Sequence, residues 1–436
     1  MAMRTHRWLQ LLVFGWLTAA VAPAQEGPLS LEFSFSNPGA RSMGFGGAFV
    51  ALADDATAAF VNPAGLVQLT RRELSLEGRL WSYSTPFTEG GRLSGQPTGL
   101  GLDTVAGLRE AETSADLADV SFASYVYPKK RWALALYRHQ LARFESFSET
   151  QGFFAQEPVR LDDFRRTTDF DIVTHAAALA YRVSEHLSLG LTFSQFSAEA
   201  RVVTEQFDVS RGQTLPEGPF GRNVYAPSAL EERVASTSDD GAAALSFGLL
   251  ARLSPNWSLG ASFRQGPELR FETVETSGPA RLPPLPGGAT TFIDRGNLRL
   301  PDVIALGLAY RSPGGRLTVA LEWDRVEYAT LVDSLGDSAL DADIDDGDEI
   351  HLGVEVVFPG TAPVMALRAG AWLDPDHRVR FVGSTSPLDR AIFRGGDDEL
   401  HFALGVGAAF NRFQIDAAVD ISELVSTASL SAIYSF

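Results

Sequence analysis

From residue 72 to the carboxy-terminus one unit recurs: an alternating run, a very short turn, a second alternating run, then a long polar stretch. Alternation with a period of two is the signature of a strand with one apolar face. The short turns fall at Lys129-Lys130, Ser184-Glu185, Ser254-Pro255-Asn256, Ser312-Pro313-Gly314-Gly315, Pro359-Gly360 and Asn411. The long polar stretches are 85–117, 145–167, 207–240, 273–297, 329–348 and 374–397. Only the last hairpin, near Glu423, lacks a long loop. A soluble β-sandwich has no reason to sort its connections by length, whereas a membrane barrel has short turns at one end and long loops at the other. The sequence therefore predicts an all-β fold, a transmembrane antiparallel β-barrel of about fourteen strands with both termini at the short-turn end.

The faces agree with this. Leu317, Val319, Leu321 and Trp323 alternate with Thr318, Ala320, Glu322 and Asp324. Phe413, Ile415, Val419 and Ile421 alternate with Gln414, Asp416 and Asp420. The apolar sets are expected to face lipid and the carboxylates the lumen. Tyr127, Trp132, Tyr181, Trp257, Tyr310, Phe358 and Phe410 all lie beside short turns, as an interfacial aromatic girdle would. The chain ends on Leu430, Ala432, Tyr434 and Phe436, alternate apolar positions closing on an aromatic carboxy-terminus. Such an ending resembles the sorting signal of outer-membrane barrels, which makes the barrel-insertion machinery an expected partner through Phe436.

Ahead of the barrel stand two further segments. Residues 1–24 carry Arg4 and Arg7, an apolar run from Leu9 to Val21, and Ala22-Pro23-Ala24. That is the order of a secretory signal, with an apolar run too short to span a bilayer. Its removal takes two of the 36 basic side chains and none of the 54 acidic ones, so 34 − 54 leaves a net charge of −20. A surface of that sign excludes nucleic acid as a partner. Cysteine is absent, which excludes a disulfide framework and thiolate chemistry.

Residues 25–70 form the second segment. Within 37–66, Gly39, Gly44, Gly46 and Gly47 permit tight backbone, and Asp54 or Asp55 is placed to cap a short helix through Phe60 that Pro63 stops. The segment is too short to bury a core alone, so it is expected to plug the barrel formed by 71–436. Phe45, Phe49 and Phe60 are candidate walls of an apolar ligand pocket, or packing of the plug against the barrel. Phe144, Phe147, Phe153 and Phe154 in or beside the second long loop are candidates for a capture groove, or for packing within that loop.

The MGFGGAFVALADDATAAFVNPAGL core, ending in Asn62, Pro63, Ala64 and Gly65, resembles the amino-terminal region of the FadL/TodX family of hydrophobic-compound channels. LPDVIALGLAYR (300–311), ALEWDRVEY (320–328), LRAGAWLDP (367–375) and HFALGVGAAF (401–410) are similar to the family's later strands. The resemblance implies a monomeric barrel in a Gram-negative-type outer membrane, taking up long-chain fatty acids or aromatic hydrocarbons passively. Substrate would enter an apolar pocket under the loops and leave through a lateral opening. It also implies a plug or gating role for Asn62, Pro63, Ala64 and Gly65. PorV-like barrels, which anchor or hand over secreted proteins, share much of this wording and supply the alternative.

Enzymatic chemistry is not expected. The histidines have no HExxH spacing, there is no GxSxG elbow, and the glycine-rich run has no Walker lysine. The acidic run 341–349 has Asp341, Asp343 and Asp345 at calcium-loop spacing, but Asp346 replaces the turn glycine and Leu352 the closing glutamate. A solvated loop near lipopolysaccharide is the reading for it. No metal and no cofactor is expected.

Overall fold

The computed structural model describes residues 37–93, 96–97, 101–151, 154–156, 159–160, 163–207, 213–214, 222–223, 230–279, 290–333, 342–381 and 395–436. The signal segment 1–24 and the start of the plug region lie outside them. Six long strands come first: β1 (Glu73–Arg92), β2 (Gly107–Pro128), β3 (Trp132–Thr150), β4 (Asp163–Arg182), β5 (Leu187–Phe207) and β6 (Leu230–Arg252). Ten shorter segments follow. They are β7 (Trp257–Arg264), β8 (Glu268–Pro279), β9 (Thr290–Arg299), β10 (Val303–Arg311) and β11 (Leu317–Val326), then β12 (Gly347–Phe358), β13 (Val364–Asp374), β14 (Glu399–Ala409), β15 (Phe413–Ile421) and β16 (Val425–Ser435).

Every neighbour pairs antiparallel, and β16 returns to β1 from Glu73↔Ser435 to Tyr83↔Val425, which closes the wall. β7 and β8 are one wall strand broken at 265–267, and β9 and β10 are another broken at 300–302. The Gly266 N–H donates to Asp302 Oδ1 at 2.7 Å and ties the two breaks together. The sixteen segments thus make the expected fourteen wall strands.

Side-chain direction follows the sequence pattern. Leu317, Leu321 and Trp323 are exposed on the outer face, while Thr318, Ala320, Glu322 and Asp324 are buried inside. Trp257 packs at a tilt against Tyr310 at 5.0 Å and Tyr127 against Trp132 at 6.1 Å, both beside short turns.

The expected loop boundaries need correction. Strands run on through 85–92, 107–117, 145–150, 163–167, 230–240, 273–279 and 290–297, all read as loop from the sequence. A membrane strand needs about 9–11 residues, and β1 to β6 are roughly twice that. The ladder's hydrogen bonds hold these extensions whether or not one face is apolar. With polar residues on both faces, the period-two signal vanishes from the sequence.

Residues 37–69 lie inside this wall and are almost wholly buried. They contain α1 (Ala40–Gly44), α2 (Ala58–Val61) and a 3-10 turn over Pro63–Gln68. Asp55, rather than Asp54, prepares α2, accepting from the Thr57 N–H at 2.9 Å and the Thr57 hydroxyl at 2.5 Å. Pro63 ends α2 and opens the 3-10 turn behind Asn62.

Candidate functional site

The enclosed segment is fixed to the wall by three kinds of contact. The first is a belt of lumen-facing glycines: Gly190 on β5, Gly248 on β6, Gly260 on β7, Gly307 on β10, Gly353 on β12, Gly370 on β13 and Gly405 on β14. A methyl at Gly370 would collide with the backbone of Phe45 and Gly46, and one at Gly260 with Val50. Side chains at this level would keep the segment from reaching the wall.

The second is charge. Arg41 donates to Asp54 Oδ1 at 2.6 Å, reaches Glu355 Oε2 at 3.3 Å and stands 3.5 Å from Asp55 Oδ2. Arg368 binds Glu355 and Asp416 at 2.7 Å each. Burial opposes ionisation of Asp54, yet Arg41 and Arg311 more than offset it and hold its carboxyl well below the usual range. Burial pushes the Asp55 carboxyl up, against the pull of Arg41.

The third is the Asn62-Pro63-Ala64-Gly65 run. Asn62 is fully buried; its amide donates to the carbonyls of Val50 (2.9 Å) and Leu249 (3.0 Å), and its Oδ1 accepts from the Ala64 N–H at 3.2 Å. Gly65 packs against Ala53 and Gly190 against Ala64, so the run is a clasp between segment and wall.

A cavity lies on the long-loop side of the segment, lined in part by Asn37, Met43, Arg264, Tyr328 and Trp372. Its carboxylates are Asp324, Glu349, Asp374, Glu399 and Asp420. Trp372 is sandwiched between His351 (5.2 Å) and His401 (3.8 Å), and both Trp372 and His401 are bonded to Asp420, at 3.0 and 2.6 Å. The free volume is about 60 Å3, room for a few waters.

Among the described residues, two of the wall's ladders break off while their strands continue. The β2–β3 ladder runs only from Pro128↔Ala133 to Phe122↔His139, although both strands continue beyond it. At this point β3 has a bulge between Gln140 and Ala142, and His139, Gln140 and Leu141 are buried in succession. Side chains alone bridge the gap: Arg143 donates to Asp119 at 2.8 Å and Arg138 to the Val120 carbonyl. At the second interruption β6 changes partner from β7 to β8. That one is stitched by Gln265, whose N–H donates to the Leu245 carbonyl and whose Oε1 accepts from the Leu245 N–H, and the ladder resumes above it.

The candidate aromatics scatter. Phe45 and Phe49 are fully buried, 6.4 Å apart, and neither lines the cavity. Phe60 lies 4.4 Å from His139 at the β3 bulge, with the Arg264 guanidinium 5.0 Å from its ring. It does not line the cavity either, but lies between Arg264, which does, and the first interruption. Phe144 and Phe147 belong to β3 rather than to a loop; Phe144 is buried against Tyr83 at 6.1 Å and Phe147 is exposed. Phe153 and the Phe154 side chain lie outside the described residues. In the acidic run, Asp343 and Asp345 pair with Arg380, and Asp346 and Asp348 with Arg325. These carboxylates are committed to arginines rather than arranged around an ion; Asp341 lies outside the described residues.

The sequence reading missed the cavity constellation. Asp324 and Glu349 are cross-strand partners, as are His351 and Trp372, and Trp372 and His401. The available signal was inward-facing polar residues near the long-loop ends of successive strands.

A family model described as outer membrane protein transport protein (OMPP1/FadL/TodX) matches residues 17–349. Among solved structures, a Pseudomonas aeruginosa FadL homologue is 13% identical with a TM-score of 0.64, covering 94% of this chain and 100% of that one. The P. putida toluene transporter TodX is 15% identical with a TM-score of 0.57, over 92% and 99%. The CymD monoaromatic hydrocarbon channel is 14% identical with a TM-score of 0.57, over 93% and 99%. At these identities the likeness is one of fold. No curated protein matches the sequence.

Proposed function

The chain belongs to the OMPP1/FadL/TodX family of outer membrane transport proteins, and from that premise we propose that it is a passive channel for uncharged hydrophobic molecules. The setting is a Gram-negative-type outer membrane, with the short turns periplasmic and the long loops outside. Segment 37–69 acts as the plug. Substrate collects above it, passes Phe60, and leaves sideways between β2 and β3 into lipid.

The observation that carries this reading is the ladder that ends at Phe122↔His139 beside Phe60. A hydrophobic solute gains nothing from an aqueous pore, whereas a wall gap lets it keep apolar contact worth about 25 cal/mol per Å2. The cavity above the plug holds only a few waters, so passage requires Phe60 or its neighbours to move. Among the described residues five carboxylates stand against one arginine and two histidines in the lining, an acidic excess that repels a fatty-acid carboxylate and leaves an uncharged aromatic hydrocarbon as the favoured substrate. The structural likeness to a toluene transporter and to a monoaromatic hydrocarbon channel supports that choice. No observation favours the secretion-anchor alternative.

The test uses the absence of cysteine. A Ser121→Cys/Gln140→Cys pair places one disulfide at the first position past the ladder. Uptake of labelled toluene into cells should fall under oxidation and return on reduction, and wild type should exclude a labelled long-chain fatty acid. Unchanged toluene uptake in the oxidised pair would remove the β2–β3 exit, and efficient fatty-acid uptake would remove the charge argument.

A further inference from the structure

Among the lumen groups, Asp324 on β11 and Glu349 and His351 on β12 bring one ligand atom each to within 4.8 Å of one another. Asp324 and Glu349 are direct cross-strand partners, so two carboxylates face each other across one rung of the ladder. Like charges in that relation repel. Among the described residues Arg264 is the only arginine lining this cavity, and its guanidinium is directed to Asn37 and the Phe60 ring.

Two further observations point to a cation. Asp324 is only 5% exposed and lines the cavity, yet its Oδ1 has no hydrogen-bond partner. His351 has its Nδ1 2.8 Å from the Gly46 carbonyl, which makes Nδ1 the protonated nitrogen. Its Nε2 lies 3.1 Å from Glu349 Oε2. That approach needs a positive charge, supplied by a second proton on the imidazole or by a metal ion between the two atoms. An imidazole whose far nitrogen donates to a backbone carbonyl is also the usual arrangement of a metal-ligating histidine.

We propose that Asp324, Glu349 and the Nε2 of His351 form a binding site for a divalent transition metal of the zinc class. One imidazole with two carboxylates suits such an ion, whereas calcium takes oxygen ligands throughout. Three protein ligands leave the fourth position open to the cavity. The bound ion would cancel the repulsion between β11 and β12. It would also fix His351 to Gly46, a plug residue whose φ of 60° puts it against the wall. The inference does not rest on the transport reading, although the ion would take up two of the five carboxylates that line the cavity.

The experiment is zinc chloride titration of the full chain, purified in detergent without a histidine tag and stripped with chelator, read by equilibrium dialysis and elemental analysis. One zinc per chain is expected, with calcium and magnesium failing to compete. Asp324→Asn and His351→Gln should each weaken binding at least about tenfold, as loss of a metal-site partner does. Asp343→Asn/Asp345→Asn on the outer surface should not. Heat-modifiable gel mobility reports folding, and if either lumen variant does not fold, Glu349→Gln is read in its place. Absence of saturable binding overturns the site, since His351 would then be a protonated group among its carboxylates. So does wild-type affinity in the folded lumen variants, or loss of binding in the outer-surface double variant.

Discussion

Arg41 ties the plug to itself and to the wall by charge. Its guanidinium serves Asp54, Asp55 and Glu355 together and lies 5.3 Å from the Phe49 ring, all at low exposure. Breaking a buried ion pair by removing one partner costs about 3–5 kcal/mol, because the other charge is left uncompensated. Arg41→Met keeps the apolar stem but leaves Asp54 to Arg311 and Glu355 to Arg368, and takes the guanidinium away from Asp55. The wall's own ladder does not involve this group. Arg41→Met should therefore give a barrel with normal heat-modifiable mobility, in which 37–69 becomes sensitive to added protease. Protease resistance equal to wild type would show that the glycine and Asn62 contacts suffice without Arg41.

At the scale of elements, the glycines of β5 to β14 matter as a set. Gly190 pairs with Gly248, Gly260 with Gly307, and Gly353 with Gly370, so the ladder aligns them into one belt. Gly370→Ala tests that belt. A strand alanine is ordinarily better than glycine by roughly 0.5–1 kcal/mol, but here the methyl meets plug backbone, which cannot rotate away. The variant should assemble normally and show raised ion conductance in planar bilayers as the plug shifts. Gly78→Ala, whose nearest neighbour would be 3.8 Å away, should conduct as wild type does. Equal conductance in both would mean that the plug accommodates a methyl.

This belt also marks where sequence reading ends. Period-two alternation revealed which face Leu321 and Glu322 take, because burial is decided within one strand. That Gly353 and Gly370 stand at plug level depends on the register between strands, which no local pattern encodes. The same holds for Asp324, Glu349 and His351, which read singly as lumen polar residues. Asn62 was legible as a motif, but its hydrogen bonds to Val50 and Leu249 were not. The outer halves of β1 to β6 were hidden for a different reason, since polar residues on both faces leave no period to detect.

For the whole molecule the question is whether wall and plug are one folding unit or two. Pairing of β16 with β1 closes the wall by backbone hydrogen bonds, and the edges left between β2 and β3 are bridged by Arg143 and Arg138 of the wall itself. Several lumen charges are also satisfied without it: Glu77 binds Arg79 at 2.7 Å and Ser429 at 2.6 Å, and Arg368 binds Glu355 and Asp416. Other groups would lose plug partners, among them Glu322, which accepts from the Val50 N–H at 2.7 Å, and His351. Once the plug is gone, however, these groups face water, which hydrates a carboxylate at no desolvation cost. The plug, by contrast, is too short to keep a core alone. A chain lacking residues 37–69, with the signal retained, should therefore reach the outer membrane and show a folded barrel's gel mobility. It should also conduct ions strongly and lose selectivity for uncharged aromatics. If that chain is degraded or never becomes heat-modifiable, Phe45, Phe49 and Val50 are part of the core on which the wall assembles. The two would then form a single unit, and a plug that moves independently of its barrel would be excluded.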